Sequence, residues 1–229
     1  MSRSTLRPES LPGGRLARAA QAAAAAAPDT KPGKKTAAPA ASKGSGEIRI
    51  IGGQWKRTRL AVAQRPGLRP TPDRVRETLF NWLGQDLTGW HCLDAFAGTG
   101  ALGLEAASRG AAAVQLVEND PALVARLHKR RQRLAATGVR VQRGDGVAAI
   151  KHAAPASLHL VLVDPPFDSA LFEPALQAAA QAVAADGYVY LEAPTAWTDE
   201  ALAPFGLAVH RHLKAGAVHA HLLQRRPKD

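Results

Sequence analysis

The stretch Leu158-His159-Leu160-Val161-Leu162-Val163 runs directly into Asp164-Pro165-Pro166-Phe167. The first six residues form a short, mostly apolar run with β-branched members, which is typical of a strand buried in a parallel sheet. Asp164 then ends a strand, and open α/β sheets bind ligands at that edge. Because each proline lacks an N–H donor, the Pro165 carbonyl is left to point at a ligand. Carboxylate, carbonyl and ring together suit a planar group carrying an amine. A strand-ending turn with a buried Phe167 remains the alternative for this motif alone.

Strands and helices alternate regularly from Trp90 onward, which predicts a parallel sheet covered by helices on both faces. We predict strands near 91–95, 112–118, 139–143, 158–163 and 187–192, and helices near 101–109, 121–136, 146–152 and 171–184. Two further strands are predicted from Leu207 to Leu213 and from Ala217 to Gln224. The turn between them is so short that they must run antiparallel.

A glycine-rich turn follows the first of these strands. Its glycines have the spacing of a dinucleotide fingerprint, and Glu118 ends the next strand, where it could accept hydrogen bonds from ribose hydroxyls. A nicotinamide or flavin cofactor is therefore a competitor. Asp94 argues against it, because a carboxylate before the turn would repel a pyrophosphate but could accept a hydrogen bond from a cationic amino-acid group. S-adenosyl-L-methionine carries such a group, and Asp145 could accept from its adenine amine. The predicted cofactor-binding residues are Asp94, Phe96, Ala97, Gly98, Thr99, Gly100, Gly103, Glu118, Asn119, Asp145 and Gly146.

The positive charge is concentrated towards the N-terminus. Of the net charge of +11, residues 1–47 contribute +5, residues 48–80 contribute +6, and residues 81–229 contribute nothing. Such asymmetry indicates a polyanionic partner contacted by one end of the molecule. A solvated basic tail explains the first excess equally well. It does not explain the second, because residues 48–80 have the patterns of folded structure.

The segment 48–60 has short β-prone runs broken at Gly52-Gly53, which predicts a hairpin or a bent ribbon. Basic side chains around Trp55 suit phosphates and unstacked bases, although a solvated edge strand protected by charge is the alternative. In the following helix we predict Thr71 as N-cap and Pro72 as first residue. One face should pack on the main domain, and the other should carry Arg74 and Arg76. The predicted RNA-binding residues are Arg49, Lys56, Arg57, Arg59, Arg69 and Arg74.

The remaining composition excludes several classes of protein. Residues 1–46 have almost no large apolar side chain, so they are predicted to be disordered. One cysteine, Cys92, excludes a disulfide framework. We expect no membrane span, no metal site and a cytoplasmic location, since neither a long apolar run nor a ligand cluster is present. The predicted parts are the tail 1–46, a basic RNA-binding hairpin and helix at 47–89, and the catalytic domain 90–229.

From Ile48 to about Gln224 the chain resembles the RsmD family, bacterial methyltransferases that modify a guanine of 16S ribosomal RNA. The resemblance rests on Arg49-Ile50-Ile51-Gly52-Gly53 with Trp55-Lys56-Arg57, on the stretch from Arg69 to Leu83, on that from Leu93 to Ala106, on Ser108-Arg109-Gly110-Ala111, and on Asp164-Pro165-Pro166-Phe167. The arginine-rich helix with its Thr71-Pro72 entry separates this family from others. Thr99 departs from the family, where Ser is usual, and the terminal hairpin at 215–221 lacks expected aromatic or basic residues.

The resemblance implies a class I S-adenosylmethionine-dependent methyltransferase fold. This fold is α/β and Rossmann-like, with a mostly parallel seven-strand sheet, an antiparallel final hairpin and a small N-terminal β-hairpin and helix extension. It also implies that a monomer methylates the exocyclic N2 amine of guanine 966 in the small ribosomal subunit or its assembly intermediate. The predicted catalytic residues are Asp164, Pro165, Pro166 and Phe167.

Two other functions stay open. A DNA or RNA methyltransferase acting on adenine N6 or cytosine N4 would use the same motif from Asp164 to Phe167, but no gap between predicted elements is long enough for a target-recognition insertion. A non-catalytic RNA-binding protein with a relic cofactor pocket is the other alternative. Intact acidic residues at the predicted strand ends argue against it.

Overall fold

The computed structural model describes residues 46–62 and 71–226. Arg69 and nearly all of the predicted tail lie outside the described residues. The strands are β1 (Glu47–Arg49), β2 (Arg59–Ala61), β3 (His91–Asp94), β4 (Ala113–Glu118), β5 (Val139–Arg143), β6 (Leu158–Val163), β7 (Val183–Ala193), β8 (Leu207–Ala215) and β9 (Val218–Arg225). The helices are α1 (Asp73–Trp82), α2 (Ala101–Ser108), α3 (Pro121–Arg133), α4 (Gly146–His152), α5 (Phe172–Ala182) and α6 (Asp199–Leu202).

Seven of these strands form one sheet in the order β5-β4-β3-β6-β7-β9-β8. The first five are parallel, and β9 runs antiparallel to both β7 and β8. This confirms the predicted α/β, Rossmann-like fold with its antiparallel final hairpin. The chain builds β3, β4 and β5 outward in one direction and then returns to place β6 on the other side of β3. Ligands bind at such a switch point, at the carboxyl ends of the strands.

Strand β6 is buried on both faces, which explains its apolar sequence. Leu160 and Leu162 pack in a core cluster that also contains Leu79 of α1. Val161 and Val163 face a second cluster on the opposite side, together with Leu176 of α5 and other residues. A strand between two layers of helices has no solvent-facing side, so polar alternation is absent.

The N-terminal segment pairs β1 with β2 in antiparallel register, as predicted for a hairpin, and Gly52-Gly53 lies in the connection between the two strands. Nine residues, 50–58, join the two strands. Gly53 has a φ of +71°, and a side chain there would overlap the Ser108 carbonyl, which accepts a hydrogen bond from Gln54 N at 2.8 Å. The glycine pair therefore allows close packing on the end of α2.

Two predictions about helix α1 are wrong. Pro72, and not Thr71, is its N-cap, and no side chain caps it. Arg74 is exposed as predicted, but Arg76 is fully buried, because acidic groups from two helices meet its guanidinium. Among the described residues no helix has both the length and the apolar character to cross a membrane.

Candidate active site

A cavity of about 680 Å³ lies at the carboxyl ends of the central strands. The start of α1 contributes Thr71 and Pro72 to its wall, and β9 contributes Val218. All four predicted catalytic residues line it, as do most of the predicted cofactor-binding residues. The latter are Asp94, Phe96, Ala97, Gly98, Thr99, Glu118, Asn119, Asp145 and Gly146.

The glycine turn is held in shape by two acidic side chains. Glu118 accepts hydrogen bonds from Gly98 N at 2.8 Å and from Asp120 N at 2.9 Å. Asp94 accepts from Gly103 N at 3.0 Å. A side chain at Gly103 would overlap Leu116 and press closely on Asp94, so glycine favours this close approach of α2 to the sheet. Gly100 caps the same helix with a left-handed φ of 75°.

The third predicted acid, Asp145, caps α4 by accepting a hydrogen bond from Ala148 N at 2.7 Å. Each acid at a strand end therefore makes a local structural contact. A carboxylate has about four lone-pair sites on its two oxygens, so these contacts leave acceptor capacity for a ligand. Structural support and ligand binding are compatible in all three residues.

Asp164 and Glu192 also line the cavity, and the acids at this edge of the sheet raise one another's pKa. Burial raises the pKa of Asp94 to about 7, and the negative charges of Glu118 and Glu192 add to this effect. Burial also raises the pKa of Asp164 well above its ordinary value, with Glu192 and Asp94 contributing. Asp164 is only partly shielded from solvent, which reaches it through the cavity.

Sequence reasoning missed Glu192. It is 3% exposed, lines the cavity and accepts a hydrogen bond from the Tyr190 hydroxyl at 2.9 Å. The signal was available, because Glu192 ends a predicted strand just as Glu118 does. Its neighbours in sequence offered no motif to draw attention to it.

A buried ion-pair network, also missed, connects the N-terminal segment to helix α2 beside the cavity. Glu105 of α2 accepts hydrogen bonds from Ile51 N at 2.8 Å and from Gly52 N at 2.7 Å. The same carboxylate pairs with Arg76 at 3.3 Å and with Arg109 at 2.9 Å. Since α2 begins at the glycine turn, this network ties the N-terminal segment to the helix that shapes the cavity.

Arg76 also reaches the cavity wall, because its Nε donates to the Thr71 carbonyl at 3.3 Å. A second arginine, Arg130 of α3, donates to the carbonyls of Thr99 and Ala61. Arg76 therefore stabilises the start of α1, and Arg130 stabilises the glycine turn.

The predicted RNA-binding residues within the described part of the chain are exposed. Arg49 lies 3.7 Å from Asp73, and Arg59 lies 3.2 Å from Glu47. Ion pairs this exposed contribute little to stability and are readily exchanged for other anions. We call the exposed side chains of Arg49, Lys56, Arg57, Arg59 and Arg74 the basic surface.

A parallel sheet with a glycine turn, strand-end acids and an Asp-Pro-Pro-Phe wall defines the chain as a Rossmann-like methyltransferase. Residues 48–224 match the family described as Conserved hypothetical protein 95. The chain belongs to this family, the RsmD family of methyltransferases.

Relatives whose names state a function agree with this assignment. Ribosomal RNA small subunit methyltransferase D of Escherichia coli is 42% identical over 184 residues, which cover 80% of this chain and 92% of that protein. The solved structure of the Escherichia coli protein yhhF has a TM-score of 0.69 and 41% identity, covering 80% of this chain and all of that one (100%). The Haemophilus influenzae protein HI0767 has a TM-score of 0.64 and 30% identity, with coverage of 80% and 100%.

Proposed function

We propose that this protein transfers a methyl group from S-adenosyl-L-methionine to the exocyclic N2 amine of a guanine in small-subunit ribosomal RNA, guanine 966 in the standard numbering. The observation that carries the proposal is the meeting of two walls in one cavity. Asp164 to Phe167 form one wall, and the glycine turn with its acids forms the other.

The side chains that line the cavity fit this cofactor. Asp94 and Glu118 supply carboxylates beside the glycine turn, Asp145 supplies a third at the end of the neighbouring strand, and Phe96 and Leu102 add apolar surface. Carboxylates suit an amino-acid ammonium, ribose hydroxyls and an adenine amine, whereas they repel a pyrophosphate. When bound, S-adenosyl-L-methionine supplies a methyl group activated by a sulfonium.

Positioning of the guanine is the task of the other wall. The N2 lone pair is conjugated into the ring, so the amine reacts only when it is held in line with the methyl group. Asp164 accepts an N–H hydrogen bond from the amine, assisted by the Pro165 carbonyl, while Phe167 stacks on the flipped base. As the bond between N2 and the methyl carbon forms, the nitrogen loses a proton, and Asp164 takes up that proton. Its raised pKa makes the carboxylate a better proton acceptor.

The basic surface supports RNA as the substrate. Arginine and lysine side chains contact phosphates without regard to sequence and contribute most of the affinity for nucleic acid. Arg74 lies two residues after Pro72, which is itself part of the cavity wall. RNA held on this surface would therefore pass close to the mouth of the cavity.

To test the proposal, the protein is incubated with labelled S-adenosyl-L-methionine and, in separate samples, with naked 16S rRNA, partially assembled small subunits, tRNA and duplex DNA. The modified nucleoside is then identified. We expect N2-methylguanosine in one or both of the ribosomal samples. N6-methyladenine or N4-methylcytosine in any sample would assign the chain to the other amino-methyltransferases. Loss of labelling in every sample, with RNA still bound, would indicate a non-catalytic binding protein.

Calorimetry tests the cofactor separately. We expect S-adenosylhomocysteine to bind and NAD not to bind, because the acid before the glycine turn disfavours a pyrophosphate. Micromolar binding of NAD without binding of S-adenosylhomocysteine would reject the assignment.

A further inference from the structure

Glu192 is the neighbour of Asp164 across two strands. Strands β6 and β7 are parallel, and Val163 is paired with Leu191, so the next residue of each strand, Asp164 and Glu192, continues the same register. Paired residues of adjacent strands project from the same face of a sheet. Both side chains line the cavity, and the Tyr190 hydroxyl orients one oxygen of Glu192.

Two carboxyl groups side by side in a buried position are unfavourable without hydrogen-bond donors to meet them. Tyr190 supplies one donor at 2.9 Å. A carboxylate has about four lone-pair sites, so each of these two neighbouring groups can still accept from a molecule in the cavity that both line. The pair therefore suits a ligand that brings two adjacent N–H donors.

Guanine is the standard base with two such donors. Its Watson–Crick edge carries the N2 amine next to N1–H, both donating. Adenine and cytosine each carry an amine next to an unprotonated ring nitrogen, which would face a carboxylate lone pair to lone pair. A site with a single carboxylate can hold the amine of any of the three bases, but a second carboxylate beside it distinguishes guanine.

We propose that Glu192 accepts the N1–H of the target base while Asp164 accepts from its amine, which makes Glu192 the residue that selects guanine. The inference rests on the proposed function and extends it from the amine to the ring. This role of Glu192 explains how a site built on the motif from Asp164 to Phe167, which adenine and cytosine methyltransferases would also use, can accept guanine alone. An unprotonated ring nitrogen facing a buried carboxylate leaves two acceptors without a donor, and binding sites reject ligands with this kind of mismatch most strongly.

The test replaces the target guanine by 2-aminopurine, which keeps the amine but has an unprotonated N1. Small-subunit RNA with either base at the target position is prepared by ligation, assembled into particles and methylated by wild type and by Glu192→Gln. A glutamine can donate to N1 of 2-aminopurine or accept from N1–H of guanine. We expect the wild type to prefer guanine in kcat/KM, and Glu192→Gln to reduce this preference by roughly 10- to 100-fold.

Asp186→Asn is the matched control, because Asp186 is an exposed acid on the same strand β7. It should leave both rates and their ratio unchanged. Binding of S-adenosylhomocysteine shows that each variant is folded. An unchanged ratio in a folded Glu192→Gln, or a wild type that methylates both bases equally, would overturn the inference. If the wild type yields no N2-methylguanosine at all, the proposed function fails instead.

Discussion

Asp164 illustrates at the scale of one residue how position decides chemistry. It ends β6, directly after Val163, which is fully buried, so its carboxyl group lies in a poorly solvated place beside two other acids. Such a group favours contact with N–H donors and is a good proton acceptor once ionised. A carboxylate on an exposed loop would have neither property.

Replacing Asp164 by alanine should therefore abolish chemistry while preserving binding. We expect kcat to fall by at least 100-fold, since positioned catalytic groups contribute about 3 kcal/mol or more. The affinities for RNA and for S-adenosylhomocysteine should change little, because neither the basic surface nor the glycine turn is altered. Single-turnover kinetics and calorimetry measure the two effects. Loss of RNA binding in Asp164→Ala would contradict the catalytic assignment.

Asp94 should make the stability of the ligand-free protein depend on pH. Its pKa is raised from 3.8 to about 7 in the folded chain, so between these values the folded state keeps a proton that the unfolded chain has released. The free energy of unfolding therefore falls as pH rises through this window. Asp94→Asn lacks this effect while keeping an oxygen for Gly103 N. Its stability relative to wild type should increase from pH 4 to pH 7, by up to about 4 kcal/mol.

Urea denaturation at several pH values measures this difference. Asp186→Asn, a change at an exposed acid, should show no such trend. A stability difference between Asp94→Asn and wild type that does not vary with pH would contradict the raised pKa.

At the scale of secondary structure elements, the network around Glu105 joins parts of the chain that are distant in sequence. The carboxylate and the side chain of Arg76 are both inaccessible to solvent, and Arg109 is nearly so. Arg109 also places its guanidinium 4.8 Å from the centre of the Phe80 ring. Helices α1 and α2 and the segment after β1 therefore share one charged centre.

Removal of Glu105, the buried acid that contacts both Arg76 and Arg109, should be strongly destabilising. Glu105→Ala removes the buried carboxylate that Arg76 and Arg109 share, although Arg76 keeps Asp73, and it leaves two backbone N–H groups without their acceptor. The expected loss is about 3–5 kcal/mol in the free energy of unfolding. Glu77→Ala on the exposed face of α1 is the control and should change stability by less than about 0.5 kcal/mol. Equal effects of the two substitutions in urea denaturation would show that the network is not structural.

At the scale of the whole molecule, recognition and chemistry are expected to occupy different surfaces. Replacing Arg57 and Arg59 together by alanine should weaken RNA binding and reduce its salt dependence by roughly one unit per lost phosphate contact. The rate at saturating RNA should be unchanged. Lys151→Ala, at an exposed position on α4, should have no effect on affinity. A lower saturating rate with unchanged affinity would contradict the division between the two surfaces.

Residues 1–45 should be dispensable for methyl transfer. A chain that begins at Gly46 keeps the hydrogen bond from Val62 N to the Gly46 carbonyl at 2.7 Å and the pairing of β1 with β2. We expect it to retain cofactor binding and turnover on the ribosomal substrate. Loss of S-adenosylhomocysteine binding in the shortened chain would show that the N-terminal residues are structural.

The sequence alone was enough to predict the sheet and one edge of it. Strand β6 is identifiable because burial on both faces requires an uninterrupted apolar run. Parallel strands bring their carboxyl ends to a common edge, so Asp94, Glu118, Asp145 and Asp164 could be expected there together before any contact was known. These are local patterns combined with one topological rule.

Only the tertiary structure decided the relations between distant residues. The helical pattern of α1 placed Arg76 on a polar face, but it could not indicate that Glu105, 29 residues later, would be buried against it. Similarly, Glu192 acquires its meaning from the register that brings it beside Asp164. Packing selects such pairs from many possible ones, because a buried charge is stable only where the fold supplies its partner.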